Sequence, residues 1–534
     1  MVWTLFGAVS LVLLIGCVNV ANLLLVRSGE RSRSMAVQAA FGATPADLLR
    51  TSIVEGLVLG AMGGMIGLLV AWVGVCTLRQ VLPAGFPRLD DIALDPSVLT
   101  FTAVVALAAA VLFSLVPALR TMSLDVSSVL QDSSRGASLG RRSRRIADAM
   151  VAAEVGLALV LMLAAGLLLR SYQELAQVDV GYRTEGVVAV AIELPPSRYA
   201  GGALQAAFFD ELMGRMRQVQ GIEAVGAVSY LPMSPIGTEF DMPFSVEGLE
   251  AVSPSQRPTA EYRGVIRGYF EAMDIDLLSG RMIDDLDGTD GLRVALVNAT
   301  VVRRYFTGRD PVGQMINMSM AGDVEIIGVV EDIRHDGVQA EANPEIFVPY
   351  VQLPLSAMHV VIYTEQDPTL AVNAVRAAVR EIDPQQPITR VNLIEDLISD
   401  SIAPSRFSMA LLLALATCAA FLAVVGVYGV VRYSVSLRTR ELGVRMALGA
   451  DSGTAVRMVL GHAGRIVMLG IFGGLLASVA SATIIEGMLY GVEPLDSFTF
   501  ATAAVVLASV AMAAAALPAM RAARIDPVRA LRED

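Results

Sequence analysis

The sequence contains no lysine; all 40 of its basic residues are arginine. The first consequence is chemical. A Walker-type phosphate loop needs a Lys to reach the nucleotide phosphates, so this chain has no such ATP site. Charge of any kind is scarce, at 17% of residues against 54% hydrophobic. Mean hydropathy is +0.60. A soluble protein of 534 residues needs a more polar surface than that. Cysteine is limited to Cys17, Cys76 and Cys418, all in apolar stretches. The long polar middle of the chain therefore has no disulfide and must be held by its own core. The only histidines, His335, His359 and His462, are too scattered for a catalytic constellation and read as surface or ordinary packing residues. No cleavable signal peptide is evident, because the first apolar stretch runs straight into an Arg-rich segment.

What is present is long apolar runs. They lie near 4–27, 52–77, 98–119, 149–169, 405–431, 459–485 and 498–520. Each has about the 20 residues a helix needs to cross a hydrocarbon core of about 30 Å. The expected fold is an α-helical polytopic membrane protein of seven transmembrane helices, with one large domain inserted after the fourth.

Arginine sets the orientation. Arg27, Arg31, Arg33 and Arg50 follow the first span. Arg120, Arg135, Arg141, Arg142, Arg144 and Arg145 follow the third, and Arg432, Arg438, Arg440, Arg445 and Arg457 the fifth. Arg521, Arg524, Arg529 and Arg532 follow the last. The intervening short segments 78–97 and 486–497 are poor in Arg. The positive-inside rule places the Arg-rich segments in the cytoplasm. The N-terminus and residues 173–404 are then outside, and the C-terminus inside. Between Glu174 and Asp400 there are 34 Asp/Glu against 16 Arg, a balance of −18, so the rest of the chain carries about +6 of the net −12. An acidic water-facing domain on a basic membrane part argues against nucleic-acid binding.

The chain repeats itself. Arg31-Ser-Arg33-Ser-Met-Ala-Val37-Gln-Ala-Ala-Phe-Gly42-Ala43, with Arg50 beyond it, matches Arg438-Thr-Arg440-Glu-Leu-Gly-Val444-Arg-Met-Ala-Leu-Gly449-Ala450, with Arg457 beyond it, without gaps. Gly63-Gly64 and Gly473-Gly474 occur in the helices that follow. Pro117-Ala-Leu-Arg120 parallels Pro518-Ala-Met-Arg521. Helices 1–3 and 5–7 are thus two copies of one three-helix unit, the usual basis of a pseudo-symmetric membrane assembly. In the second cytoplasmic segment, Leu437, Val444 and Leu448 form one stripe and Glu441 precedes Arg445 by one turn. That order stabilises a helix by about 0.2–0.5 kcal/mol, and the Gly-Ala after it is a helix stop. Such a segment either ends a span at the interface or docks a cytoplasmic partner; its recurrence favours docking. Arg31, Arg33, Arg438, Arg440, Glu441, Arg445 and Gly449 are the candidates.

These residues resemble the permease domain of the FtsX/MacB family of ABC transporters, the type VII fold. Residues 438–450 and 518–532 are similar to that family's cytoplasmic motifs, and Gly16-Cys-Val-Asn19-Val-Ala-Asn22 in helix 1 resembles its duplicated permeases. The first copy departs from the pattern, with Ser34 where the family has Glu and Gln38 where it has Arg. The resemblance implies a first FtsX-like unit over 1–135, a basic cytoplasmic linker over 136–148 and a fourth transmembrane helix over 149–172. An α+β periplasmic domain of the MacB core type over 173–404 and a second FtsX-like unit over 405–534 complete it. Relatives open with a further helix and periplasmic domain, so an N-terminally truncated member is expected.

Within the inserted domain, 186–193, 222–230, 359–364 and 387–392 read as strands, and 202–219 and 368–382 as helices. Two βαβ-like units would flank a strand-rich middle that includes 293–298, 325–331 and 345–350. Asp284, Asp285, Asp287 and Asp290 with Gly288 and Gly291 resemble a calcium loop but lack EF-hand spacing and its terminal Glu; a polar turn is the better reading. Asn19 and Asn22 inside helix 1 are costly in lipid unless bonded to a neighbouring helix, as inter-helix glue or in a conduit.

The resemblance implies a permease without enzymatic activity and without a cofactor of its own, ATP being bound by a separate cytoplasmic ABC ATPase. That subunit would drive a periplasmic domain by mechanotransmission for efflux or export across the cell inner membrane. A non-transport transmitter controlling a periplasmic enzyme, or an orphan permease without ATPase, is the alternative. A periplasmic adaptor or outer-membrane channel and a dimer partner stay open.

Overall fold

The computed structural model describes residues 2–40, 45–81, 95–108, 137–234, 241–246, 257–284, 286–288, 292–319, 321–437 and 451–523. The chain divides into two compact units, one of Met1–Glu174 with Pro404–Asp534 and one of Leu175–Ala403.

The first unit is helical. Among the described residues, six helices are long and apolar enough to cross a membrane, with spans at Trp3–Asn22, Gly60–Thr77, Arg145–Leu175, Ile394–Ser436, Gly453–Glu486 and Ser497–Ala522. They belong to α1 (Val2–Ala40), α2 (Pro45–Val81), α4 (Ala137–Leu175), α9 (Ile394–Leu437), α10 (Ser452–Glu486) and α11 (Ser497–Ala522). The third expected span, 98–119, is described only over its first part, as the shorter apolar helix α3 (Pro96–Ala108). The basic segment 136–148 is helical from Ala137 onward and opens α4.

α4 is the hub of this unit. Its Val151, Val155, Ala158, Leu159 and Leu163 are buried against three helices of the second copy. α9 meets it with Leu412, Ala416, Ala419, Ala423 and Val427, at helical spacing. α11 presents Ala503, Leu507, Ala511 and Ala515, a strict four-residue period. These seams are rich in alanine because lipid already solvates apolar side chains. Helices in a bilayer associate through close backbone approach, which small residues permit. α10 shows this most sharply. A Cβ on Gly470 would stand 2.5 Å from the Ala152 carbonyl oxygen, and one on Gly474 would stand 2.7 Å from that of Gly156.

The second unit is built on an eleven-stranded sheet. Its strands are β1 (Val187–Glu193), β2 (Ala224–Val228), β3 (Asp241–Val246), β4 (Thr259–Ile266), β5 (Leu277–Gly280) and β6 (Val294–Asn298), followed by β7 (Met315–Met318), β8 (Gly322–Val330), β9 (Glu345–Pro349), β10 (Ala357–Tyr363) and β11 (Arg390–Leu393). Both expected βαβ units are present, as β1–α5–β2 and β10–α8–β11, where α5 is Gly202–Met216 and α8 is Pro368–Ile382. They interleave in the order β11-β1-β10-β2, with all neighbours antiparallel. α5 and α8 cover this sheet. Phe208, Phe209, Leu212 and Met216 of α5 and Val372, Val375 and Val379 of α8 share one core with Val188, Val190 and Ile192. Asp367 caps α8 by accepting from Thr369 N at 2.8 Å, with Pro368 in the first turn.

The strand-rich middle closes on itself. β4-β3-β7-β8-β6-β9 run in succession, and β9 pairs back to β4. Its interior holds a separate core with Phe244, Tyr262, Val297, Phe306 and Ile346. Two short helices, α6 (Tyr269–Met273) and α7 (Ala299–Tyr305), complete the unit. Asp285, Asp290 and Gly291 of the acidic turn lie outside the described residues; Arg281 donates to both oxygens of Asp287, at 2.7 and 2.8 Å. Among the described residues no cluster of three metal-ligating side chains occurs.

Candidate functional site

Asn19 lies on α1 in the stretch that the sequence flags as costly in lipid, and it is 5% exposed. Its Nδ2 donates to Oε1 of Glu154 on α4 and to the Leu422 carbonyl of α9, the latter at 2.8 Å. Three helices from both permease copies thus meet on one amide. Glu154 is 0% exposed. An acidic side chain in a span is expensive and faces the bundle interior or a cavity. Here it faces a gap left by Gly426. A Cβ on that residue would collide with the Glu154 carboxylate and lie 3.0 Å from Asn19 Oδ1.

Asn22, one turn along, is also buried. Its Oδ1, the Oδ1 of Asn19 and Oε2 of Glu154 accept no hydrogen bond among the described residues. The arrangement is a polar junction with spare acceptors. It fixes the mutual register of α1, α4 and α9, because an Asn–Glu pair bonds only when both sit at one depth. The sequence reading marked Asn19 and Asn22 but missed Glu154. The available signal was a lone acid inside the fourth apolar run, which hydropathy averaging hides.

The other sequence candidates divide. Arg31 and Arg33 lie on the continuation of α1, which stays helical to Ala40. Arg438, Arg440, Glu441, Arg445 and Gly449 lie outside the described residues. His462, read as a packing residue, pairs with Asp148 across α10 and α4 at 3.3 Å.

The second unit holds a buried ionic cluster that the sequence did not disclose. The parallel pairing of β4 with β9 sets Glu261 directly beside Glu345. Arg263, two residues along β4, projects to the same face. Its Nε and Nη2 donate to Glu345 Oε1 at 3.2 and 3.1 Å, and Nη2 also donates to Glu261. His335 Nε2 lies 3.0 Å from Glu345 Oε1, and Asn343 donates to Glu261 at 2.7 Å. The guanidinium lies 4.7 Å from the centre of the Tyr230 ring.

One cation faces two carboxylates, and their protonation splits accordingly. Burial opposes ionisation of Glu345, but His335 and Arg263 outweigh it and hold its carboxyl below the usual range. Burial pushes Glu261 up to about 7, with Arg263 opposing and Glu345 adding repulsion. Burial and Arg263 lower the pKa of His335, with Glu345 opposing.

Comparison with known proteins locates these features in a family. The model of the MacB-like periplasmic core domain matches residues 157–382. The model of the FtsX-like permease C-terminal domain matches twice, over 6–126 and 413–527, which bears out the internal repeat. The macrolide export ATP-binding/permease protein MacB of Acinetobacter baylyi is 26% identical over 288 residues, covering 52% of this chain and 43% of that one. A second MacB, from Aeromonas hydrophila, is 29% identical over 285 residues, covering 51% and 43%. The chain thus spans less than half the length of these relatives. An uncharacterised ABC transporter permease of Bacillus subtilis, YknZ, is 22% identical over 294 residues, covering 54% of this chain and 73% of its own length. Among solved structures, the periplasmic region of MacB from Actinobacillus actinomycetemcomitans aligns over 42% of this chain and 96% of that one, at 13% identity and a TM-score of 0.29. With a core-domain match set between two permease matches on a multi-span helical frame, the chain belongs to the FtsX/MacB-type family of ABC transporter permeases.

Proposed function

We propose that this chain is the permease subunit of a mechanotransmission system, in which a separate cytoplasmic ABC ATPase drives motion of a periplasmic domain for export. The observation that supports this best is the Asn19–Glu154–Leu422 junction. It ties α1 of the first copy and α9 of the second to α4, so displacement of either copy is felt by the helix they share. In this reading the chain makes seven spans, with residues 173–404 periplasmic and the C-terminus cytoplasmic. ATP is bound only by the partner, consistent with the absence of lysine. The names of the MacB relatives favour export over signalling, and a periplasmic adaptor or outer-membrane channel would then complete the path.

The docking arm of this proposal rests on Arg31, Arg33 and the segment from Arg438 to Gly449. With an ABC ATPase co-expressed, Glu441→Lys and Arg445→Glu should each reduce the ATPase recovered with the purified chain while leaving its membrane fraction unchanged. Equal recovery with both variants would refute docking at this segment. Capture of a peptidoglycan hydrolase in place of an outer-membrane channel would turn the reading from export to signalling.

A further inference from the structure

The polar junction of α1, α4 and α9 fixes more than helix register. A backbone carbonyl only accepts, so the Asn19 atom that meets the Leu422 oxygen at 2.8 Å is Nδ2. The same Nδ2 donates to Glu154 Oε1. The amide cannot be turned over without setting oxygen against oxygen, and Asn19 Oδ1 is left as an acceptor. Glu154 Oε2 is another. Both border one gap: a Cβ on Gly426 would collide with Oε2 and stand 3.0 Å from Asn19 Oδ1. Neither atom accepts a hydrogen bond among the described residues. Their side chains are buried, Glu154 at 0% and Asn19 at 5% exposed.

Two bare acceptors turned to one gap away from water are unfavourable, and more so if one carries charge. Among the described residues no charged group acts on Glu154 to offset this, and Asn19 is its hydrogen-bond partner. The ionisable groups of the packed helices point elsewhere. Asp148 of α4 pairs with His462 of α10 at 3.3 Å. Tyr428 of α9 accepts from Arg521 of α11 at 3.2 Å. Arg432 of α9 and Arg465 of α10 are exposed. One proton removes the conflict. On Oε2 it turns Glu154 into a donor to Asn19 Oδ1, while Oε1 still accepts from Nδ2. Acid and amide then form a closed pair, each giving one donor and one acceptor. A metal ion fits less well. It takes about six oxygen ligands or more, and the junction leaves three acceptors free, Glu154 Oε2 and the Oδ1 atoms of Asn19 and Asn22.

We propose that Glu154 is a proton-binding site inside the bundle, occupied in the folded chain, whose proton closes an acid–amide pair with Asn19. The proton comes from water and returns to it. Its release leaves a carboxylate facing the Asn19 carbonyl oxygen, so the tie between α1 and α4 is proton-linked. This does not depend on export or on a partner ATPase; it asks only that α1, α4 and α9 pack as they do.

The test is infrared spectroscopy of the full chain in liposomes at pH 7, where a protonated carboxyl shows a carbonyl stretch that carboxylates lack. Glu261→Gln serves as the parent, because the Glu261 carboxyl, pushed up to about 7, would add to the same band. Adding Glu154→Gln should remove one carboxyl's share of that band. It should leave the melting temperature unchanged, since Gln donates through Nε2 and accepts at Oε1 in the same pair, whereas Glu154→Leu should lower it. With Asn19→Leu the band should stay but move to higher frequency, as a carbonyl freed of its hydrogen bond does. A band unaltered by Glu154→Gln would overturn the proposal, because Glu154 would then be ionised; this readout decides even if Asn19→Leu does not fold. A band that Asn19→Leu fails to move would overturn the acid–amide pair. A melting temperature raised by sodium chloride over choline chloride in the parent, but not with Glu154→Gln, would overturn it in favour of a bound sodium ion.

Discussion

Arg263 serves two carboxylates, and the arithmetic of one charge against two decides how the second unit responds to pH. Glu345 takes most of the guanidinium. Glu261 is left with a carboxyl raised from 4.5 to about 7. The folded state therefore binds a proton that the unfolded chain releases above about 4.5. Stability from this group is fully present below pH 4.5 and is lost as pH rises through 7. Pulse proteolysis of the second unit in urea, run from pH 5 to 8, should show a falling midpoint, and Glu261→Gln should flatten that fall. An unchanged slope in the variant would assign the pH dependence elsewhere. No local signal exposes this cluster. Glu261 and Arg263 alternate with apolar residues as an exposed strand face would, and only the pairing with β9 buries them. His335, which the sequence leaves as a packing residue, is buried as that reading allows, but against a carboxylate. Asn19 was legible because polar amides in an apolar run are conspicuous. Its partner was not, since Glu154 is 135 residues away.

Helices were the most legible elements, because a run of apolar residues of bilayer length has few other uses. Their ends were less so. α1 continues to Ala40 and α4 begins at Ala137, well outside the apolar runs, since helix propensity persists where hydropathy stops. The glycine seam of α10 shows what an element contributes beyond length. Gly474 lies against the backbone of Gly156. Gly474→Leu should force α10 from α4 and cost about 1–3 kcal/mol, the usual range for overpacking. A lowered melting temperature in detergent would report it, and Gly473→Leu is the control, because among the described residues a Cβ there meets nothing within 4 Å. Equal effects of the two variants would count against the seam. The βαβ units were visible as strand-like runs separated by helix-like ones. Their interleaving was not, because strand order depends on which edges meet after the chain has looped.

The whole molecule divides where the composition does. The apolar, Arg-flanked part forms the helical unit, and the acidic part forms the sheet. The second unit has two apolar cores of its own and none of the three cysteines. Residues 175–403 expressed alone should unfold cooperatively, with a melting temperature unchanged by reductant. A non-cooperative melt would show that this unit depends on the rest of the chain.

The absence of lysine still excludes a Walker nucleotide site, and nothing in three dimensions can alter that. The sequence by itself also determined the apolar spans and the internal repeat. Those are one-dimensional patterns, set by how many residues of one kind follow one another. Tertiary structure alone decided that Glu154 joins Asn19, that α4 is the hub, and that Glu261 lies beside Glu345. Each of these depends on which residues, distant along the chain, are brought within a few ångströms, and packing settles that, not periodicity.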